Sequence, residues 1–323
     1  MGGVSTILRS QTIMLLPSGL CAQLEFFSKI VRRFDMPIHV DSHCHIFTQR
    51  IVRDMKMRPK LVHELKLNVD RAFDRLEPRV LHEYAEEHDI DLCLLLPTAR
   101  SDKVIEENRR FIGFTRKYSR LRTLATLHPL MSNAEEEIRF VLDSGVPGFK
   151  FSSFSQKFDI CSPEFAFLLE KVERIGNICK TSPVLVFDTF DKGVEFFGAD
   201  PEHITSPKKL SILVQSHPGL RFLAAHMGGL MHDFDRMRRD LAPASNLFLD
   251  TSNAAHTLTE DQFTELLRSF GAHHVLFGTD WPWFDATSER VRIGGLMRKA
   301  DYSQDEQDSV LGGNALRLFG FEL

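Results

Sequence analysis

Long apolar runs are missing from this 323-residue chain, and nothing approaches the eighteen or more apolar residues of a membrane span. An excess of either charge is missing too: 40 Lys and Arg stand against 44 Asp and Glu, a formal net charge of −4. Without a basic stripe there is no electrostatic case for nucleic acid. Cysteines are few and odd in number. Cys21, Cys44, Cys93, Cys161 and Cys179 contain no C-x-x-C pair, which argues against a disulfide framework and a cysteine-type structural zinc site. That usage fits a reducing compartment, and we expect a cytoplasmic protein. There is no G-x-S-x-G elbow and no G-x-x-x-x-G-K loop, so serine hydrolase and P-loop chemistry are set aside. HEYAEEH at 82–88 resembles a zincin helix, but its second histidine comes six residues on instead of four.

What is present is ordinary globular composition, 43% hydrophobic and 26% charged. Residues 1–36 read as an N-terminal extension, helix or tail, with Met36 as an alternative start. Arg9 before TIMLLPSGLCAQ only loosely imitates a signal peptide, because Pro17, Ser18 and Gly19 interrupt the apolar stretch.

From Pro37 on, short apolar runs alternate with amphipathic stretches. Strands are expected at 38–43, 90–97, 122–129, 148–153, 183–189, 221–226, 247–252 and 273–280. Most are continuously apolar, as parallel strands buried on both faces are. Helices are expected at 104–118, 134–143, 163–176, about 206–216, 230–241, 259–270, 286–298 and 303–318, the last opened by a capping Ser303. Eight such units make an α/β fold, a (β/α)8 TIM barrel forming a single domain over 37–323. The basic segment 46–70 is either a helical lid or a solvated surface helix.

The chemistry sits at the strand ends. His43 and His45 in DSHCH are one residue apart, so strand alternation points both to one face. Fourteen histidines yield about 0.6 H-x-H pairs by chance, so position carries the argument. The pair closes strand one, where barrel enzymes keep catalytic groups, and two imidazoles are half of a catalytic metal site. Asp280 in FGTDWPW follows the last strand, which lies beside the first in a closed barrel. It could ligate a divalent ion, take a proton, or merely cap a turn. His226 in AAHMGG ends strand six, either as a catalytic group or as a packed one. Lys150 in GFKF must justify a buried charge, by binding a substrate carboxylate, by carbamylation, or by pairing with an acid. Asp188 ends strand five as a ligand or polar anchor.

Taken in order, HVDSHCHIF, GFKF, SHPGLRFLAAHMGG, VLFGTDWPW and GGNALRLFGF resemble the amidohydrolase superfamily. The nearest branch is the amidohydrolase-related hydrolases and decarboxylases that include relatives of aminocarboxymuconate-semialdehyde decarboxylase. The pieces span nearly all of 37–321. The resemblance implies the barrel and one divalent ion, with Zn²⁺ the leading expectation and Mn²⁺ or Mg²⁺ alternatives. By motif it implies His43, His45 and Asp280 as ligands and Asp280 and His226 as catalytic residues. Where the family usually has a histidine at the end of strand five, this chain has Phe187-Asp188, so Asp188 ligates in its place, the site has only three firm protein ligands, or metal binding is weakened or lost. The expected activity is metal-dependent hydrolysis of a carbonyl in a small carboxylic acid. Non-oxidative decarboxylation of a small carboxylic acid, aromatic or not, is the alternative, and an inactive binding barrel the second alternative. Lys150, Arg100 and Trp281 are the expected substrate contacts, with Trp283, Phe154 and Phe190 as further wall. Barrels of this kind commonly form homo-oligomers, although no residue here argues for one.

Overall fold

A computed structural model describes residues 37–323, of which Ile38–Leu323 form one compact unit. The expectations placed on 1–36, and Cys21 with them, lie outside the described residues. Eight parallel strands follow one another: β1 Val40–Cys44, β2 Leu92–Leu95, β3 in two pieces Leu121–Thr123 and Ala125–Thr126, β4 Gly148–Phe151, β5 Val184–Phe187, β6 Arg221–Ala224, β7 Leu247–Asp250 and β8 Val275–Leu276. Each pairs with the next in parallel register, and β3 is interrupted only at Leu124. The ring closes by backbone bonds between β1 and the segment after β8. The Ser42 amide donates to the Phe277 carbonyl at 2.9 Å, Asp280 to His43 at 2.9 Å, and His45 to Trp281 at 2.8 Å. The crossings between successive strands carry α1 Pro78–Glu87, α2 Val104–Lys117, α3 Ala134–Asp143, α4 Pro163–Cys179, α5 Pro207–Ser216, α6 Phe234–Asp240 and α7 Glu260–Phe270, and α8 Ala286–Lys299 follows β8. The fold is the α/β parallel barrel the alternation implied. None of the described helices is long and apolar enough to cross a membrane.

Alternating strand positions feed two cores. Val40, Leu94, Val184, Val186, Leu223 and Leu276, from strands around the whole ring, meet in one cluster that fills the barrel interior. Their neighbours, Cys93, Leu95, Phe149, Phe151, Phe187 and Phe222, pack outward with the helices. By that parity Lys150, Asp188 and Asp250 fall on the interior side. In β1 the register shifts between Asp41 and Cys44. Val40 therefore joins the inner cluster and Cys44 the outer one, and His43 and His45 take the inner face.

The helix expected over 303–318 is broken. Ser303 does cap it, with Glu306 completing a capping box, but a wide turn over Ser309–Gly313 separates Gln304–Asp308 from Asn314–Phe319. There Gly312 meets the start of β1 so closely that a Cβ would stand 2.1 Å from the Ile38 carbonyl oxygen. Segment 46–70 forms short helices, Gln49–Lys56 and Pro59–Leu65, followed by Val69–Ala72. Val52, Leu61 and Leu65 bury against Phe190, Leu230, Trp283 and Phe284. The segment thus has an apolar seat at the mouth as well as a basic outer face.

Candidate metal centre

The C-terminal strand ends converge. His43 and Asp280 are buried and His45 is largely so. His43 Nε2 and His45 Nε2 lie 3.1 Å apart, and Asp280 Oδ1 is 3.9 Å from the first and 3.5 Å from the second. These three side chains form one cluster whose donor atoms all lie within 4.8 Å of each other.

The other nitrogen of each ring fixes its tautomer. His45 Nδ1 is 3.1 Å from the Leu96 carbonyl, which only accepts, so the proton sits on Nδ1. His43 Nδ1 donates to Asp250 Oδ2 at 2.9 Å. Two bare Nε2 lone pairs are left facing each other beside a carboxylate, an arrangement that repels itself unless a cation stands between them. The donor set therefore fits a divalent ion, with two nitrogens, one oxygen and the outer-shell support that metal-binding histidines use. Burial pushes His43 down to about 4 against the opposing pull of Asp250. Burial likewise takes His45 well below the usual imidazole range, helped by His43 and Lys150. Both rings are neutral, as ligation requires. Burial raises Asp280 to about 7, with His226 pulling the other way.

Local backbone aims these groups. Asp280 sits at φ +67° and His226 at φ +56°, left-handed conformations held at the rim. Gly278 lies behind His43, where a Cβ would come 2.8 Å from the His43 Cβ.

Asp188 stands apart from the three-donor group. Its Oδ2 accepts from Ser152 Oγ at 2.9 Å and its Oδ1 from the Phe190 amide at 3.1 Å, with His226 Nε2 at 3.8 Å. Lys150 is fully buried in the cavity wall, and its Nζ has no hydrogen-bond partner among the described residues. Burial lowers its pKa while Asp188, Asp250 and Asp280 pull it back up.

A cavity of about 700 Å³ opens over the cluster, walled by Phe47, Phe154, Phe190, Phe197 and Trp283. Two expected contacts are placed elsewhere. Arg100 is exposed and does not line the cavity; Arg110, on α2, does. Trp281 is buried away from it, donating Nε1–H to the Arg75 carbonyl at 3.2 Å beneath the Arg75 guanidinium. Two groups were missed, Asp250 and Ser252 in LFLDTS. The signal was available, since Asp250 closes an apolar strand just as Asp188 does.

Comparisons with known proteins come to the same place. The profile of a family described as amidohydrolase matches residues 40–321. Gamma-resorcylate decarboxylase of Rhodococcus jostii is 26% identical, over 69% of this chain and 88% of that protein. A dihydroxybenzoic acid decarboxylase structure from Polaromonas, with manganese and 2-nitroresorcinol bound, superposes with a TM-score of 0.62 at 20% identity, covering 88% of this chain and 97% of that one. A structure from Acinetobacter baumannii, described as a probable 2-pyrone-4,6-dicarboxylic acid hydrolase with citric acid bound, gives 0.58 at 15% identity, covering 88% and 100%. The structural likenesses speak for the fold.

Proposed function

The chain belongs to the amidohydrolase family of enzymes, and from that premise we propose that it decarboxylates a small aromatic carboxylic acid without oxidation, using one divalent ion. The observation that carries this reading is the aromatic-walled cavity set over the His43, His45 and Asp280 cluster, with a lysine in its wall that has no partner among the described residues. The decarboxylase relatives support it, and they are why we place decarboxylation ahead of the hydrolysis expected from sequence.

His43, His45 and Asp280 would hold the ion. Once bound, it supplies a Lewis acid that steadies negative charge on substrate oxygen. Mn²⁺ and Zn²⁺ both suit two imidazoles and a carboxylate, and the manganese in a decarboxylase structure favours trying Mn²⁺ first. Asp188 serves as a polar anchor, held by Ser152 and facing His226. The Lys150 ammonium meets the substrate carboxylate, and the aromatic walls hold the ring. Asp280 delivers a proton to the ring carbon, and His226 faces it across the site. The carbon–carboxyl bond breaks, its electron pair stays on the ring, and CO₂ departs.

Hydrolysis remains a second reading, since Asp280 and His226 also flank the place where a water would lose its proton. The test is direct. The full chain, loaded with Mn²⁺ or Zn²⁺, is offered hydroxybenzoates alongside small carboxylic amides and lactones. CO₂ release from an aromatic acid, abolished by chelation, is expected. Hydrolysis products without CO₂ would hand the assignment to the second reading.

A further inference from the structure

One buried hydroxyl lies between two histidines. Ser252 Oγ is 3.0 Å from His43 Nδ1 and 2.8 Å from His226 Nδ1, and it hydrogen-bonds Asp250 Oδ1. The Asp250 Oδ1 atom also accepts the His226 and Ser252 amides at 3.0 and 3.1 Å, while Oδ2 accepts from His43 Nδ1 alone. Asp250 and Ser252 are both fully buried.

A hydroxyl has one proton and two acceptor positions. The Asp250 carboxylate only accepts, so the Ser252 proton goes to it. The two positions left on Ser252 Oγ each face an imidazole nitrogen, and each of those nitrogens must bring a proton. The Ser252 carbonyl, 2.9 Å from His226 Nδ1, demands the same of His226. The His43 Nδ1 proton is then shared between Ser252 Oγ and Asp250 Oδ2, and the His226 Nδ1 proton between Ser252 Oγ and the Ser252 carbonyl.

We propose that Asp250 and Ser252 are a positioning pair that locks His43 and His226 together as Nδ1–H tautomers. His43 Nε2 is thereby left bare for the cation, and His226 Nε2 is left bare toward Asp188 and the cavity. The ring centroids are 4.9 Å apart, so one hydroxyl serves both. Only the use of His43 Nε2 at a cation rests on the proposed function; the proton assignment stands without it.

Full-length protein with ¹⁵N-labelled histidine tests the assignment in two-bond ¹⁵N–¹H spectra, without metal and with Zn²⁺. In the metal-free wild type, protonated Nδ1 and bare Nε2 are expected at both residues. An Nε2 proton on either overturns the proposal. Failure of the wild type to take up Zn²⁺ would sink the proposed function and leave this spectrum intact. Asp250→Asn is the second arm. Three donors hold the amide oxygen at the Oδ1 place, so the amide NH₂ faces His43 and drives it to the Nε2–H form. Zinc affinity should then fall about tenfold to a hundredfold, while His226 keeps its Nδ1 proton. An unchanged His43 tautomer overturns the role of Asp250. Ser252→Ala should move the Nδ1 resonances of both histidines, and Ser252→Thr should restore them; movement of one ring only, or of neither, overturns the shared hydroxyl.

Discussion

Lys150 holds a buried amine that nothing among the described residues satisfies. Such a group costs free energy in the empty protein and returns it when an anion arrives. Lys150→Met should therefore raise the melting temperature of the free protein while weakening binding of a hydroxybenzoate by about ten- to a hundredfold, the worth of a hydrogen bond to a charged group. Calorimetric titration beside a thermal melt reads both, and a variant that binds equally well removes Lys150 from the substrate site. Gly278→Ala makes a different point. Its Cβ would crowd His43 from behind, at 2.8 Å, without removing any donor. Competition with a chelator should show metal affinity down by about tenfold or more.

The strand-end rule found His43, His45, Lys150, Asp188, His226 and Asp280 from sequence because an ionisable residue closing an apolar run has few structural excuses. The same rule reaches Asp250, which also closes an apolar run, but neither its role nor Ser252: their meaning lies in His43, more than 200 residues away. Among the aromatics, Trp283, Phe154 and Phe190 line the cavity as expected, and only Trp281 misled: two residues from Trp283, its ring goes behind the site.

At the level of elements, the segment between β1 and α1 does more than cover the mouth. Arg58 donates Nε–H to the Phe196 carbonyl at 2.9 Å, and its guanidinium lies 4.8 Å over the Phe197 ring. Lys60 adds an ion pair to Glu195. That pair is exposed and contributes little by itself, so the arginine is the informative change. Arg58→Ala should quicken hydrogen exchange in 49–65 and 193–197 and raise KM by about threefold to tenfold, with the barrel strands unaffected. Unchanged exchange would mean that the apolar seat alone holds the segment. The periodicity of 303–318 predicted one helix and could not foresee the wide turn, because its cause is a remote contact between Gly312 and the start of β1. Gly312→Ala should cost about 1–3 kcal/mol in urea unfolding, the usual penalty of forcing volume into a packed contact.

Across the whole molecule, a bound ion is also a stabiliser. Binding at a hundred times its dissociation constant contributes about 2.7 kcal/mol. Chelation should therefore lower the melting temperature by several degrees, dependent on metal concentration. Elemental analysis should find about one divalent ion per wild-type chain and none in His43→Ala/His45→Ala, whose melt should ignore the chelator. A double variant that still responds would place the ion elsewhere. The ring itself was the most legible feature of all, since eight short runs, most of them continuously apolar, separated by amphipathic stretches leave little else to build.

The closing seam gives the donor cluster an order in time. His43 and His45 come from the first strand and Asp280 from just beyond the last, and Thr279 reaches back to Asp41 across 238 residues to hold the edges together. A chain emerging from the ribosome carries both imidazoles well before it acquires the carboxylate. An ion added then works as a clasp on a finished hoop, so metal uptake reports that the two ends of the barrel have met.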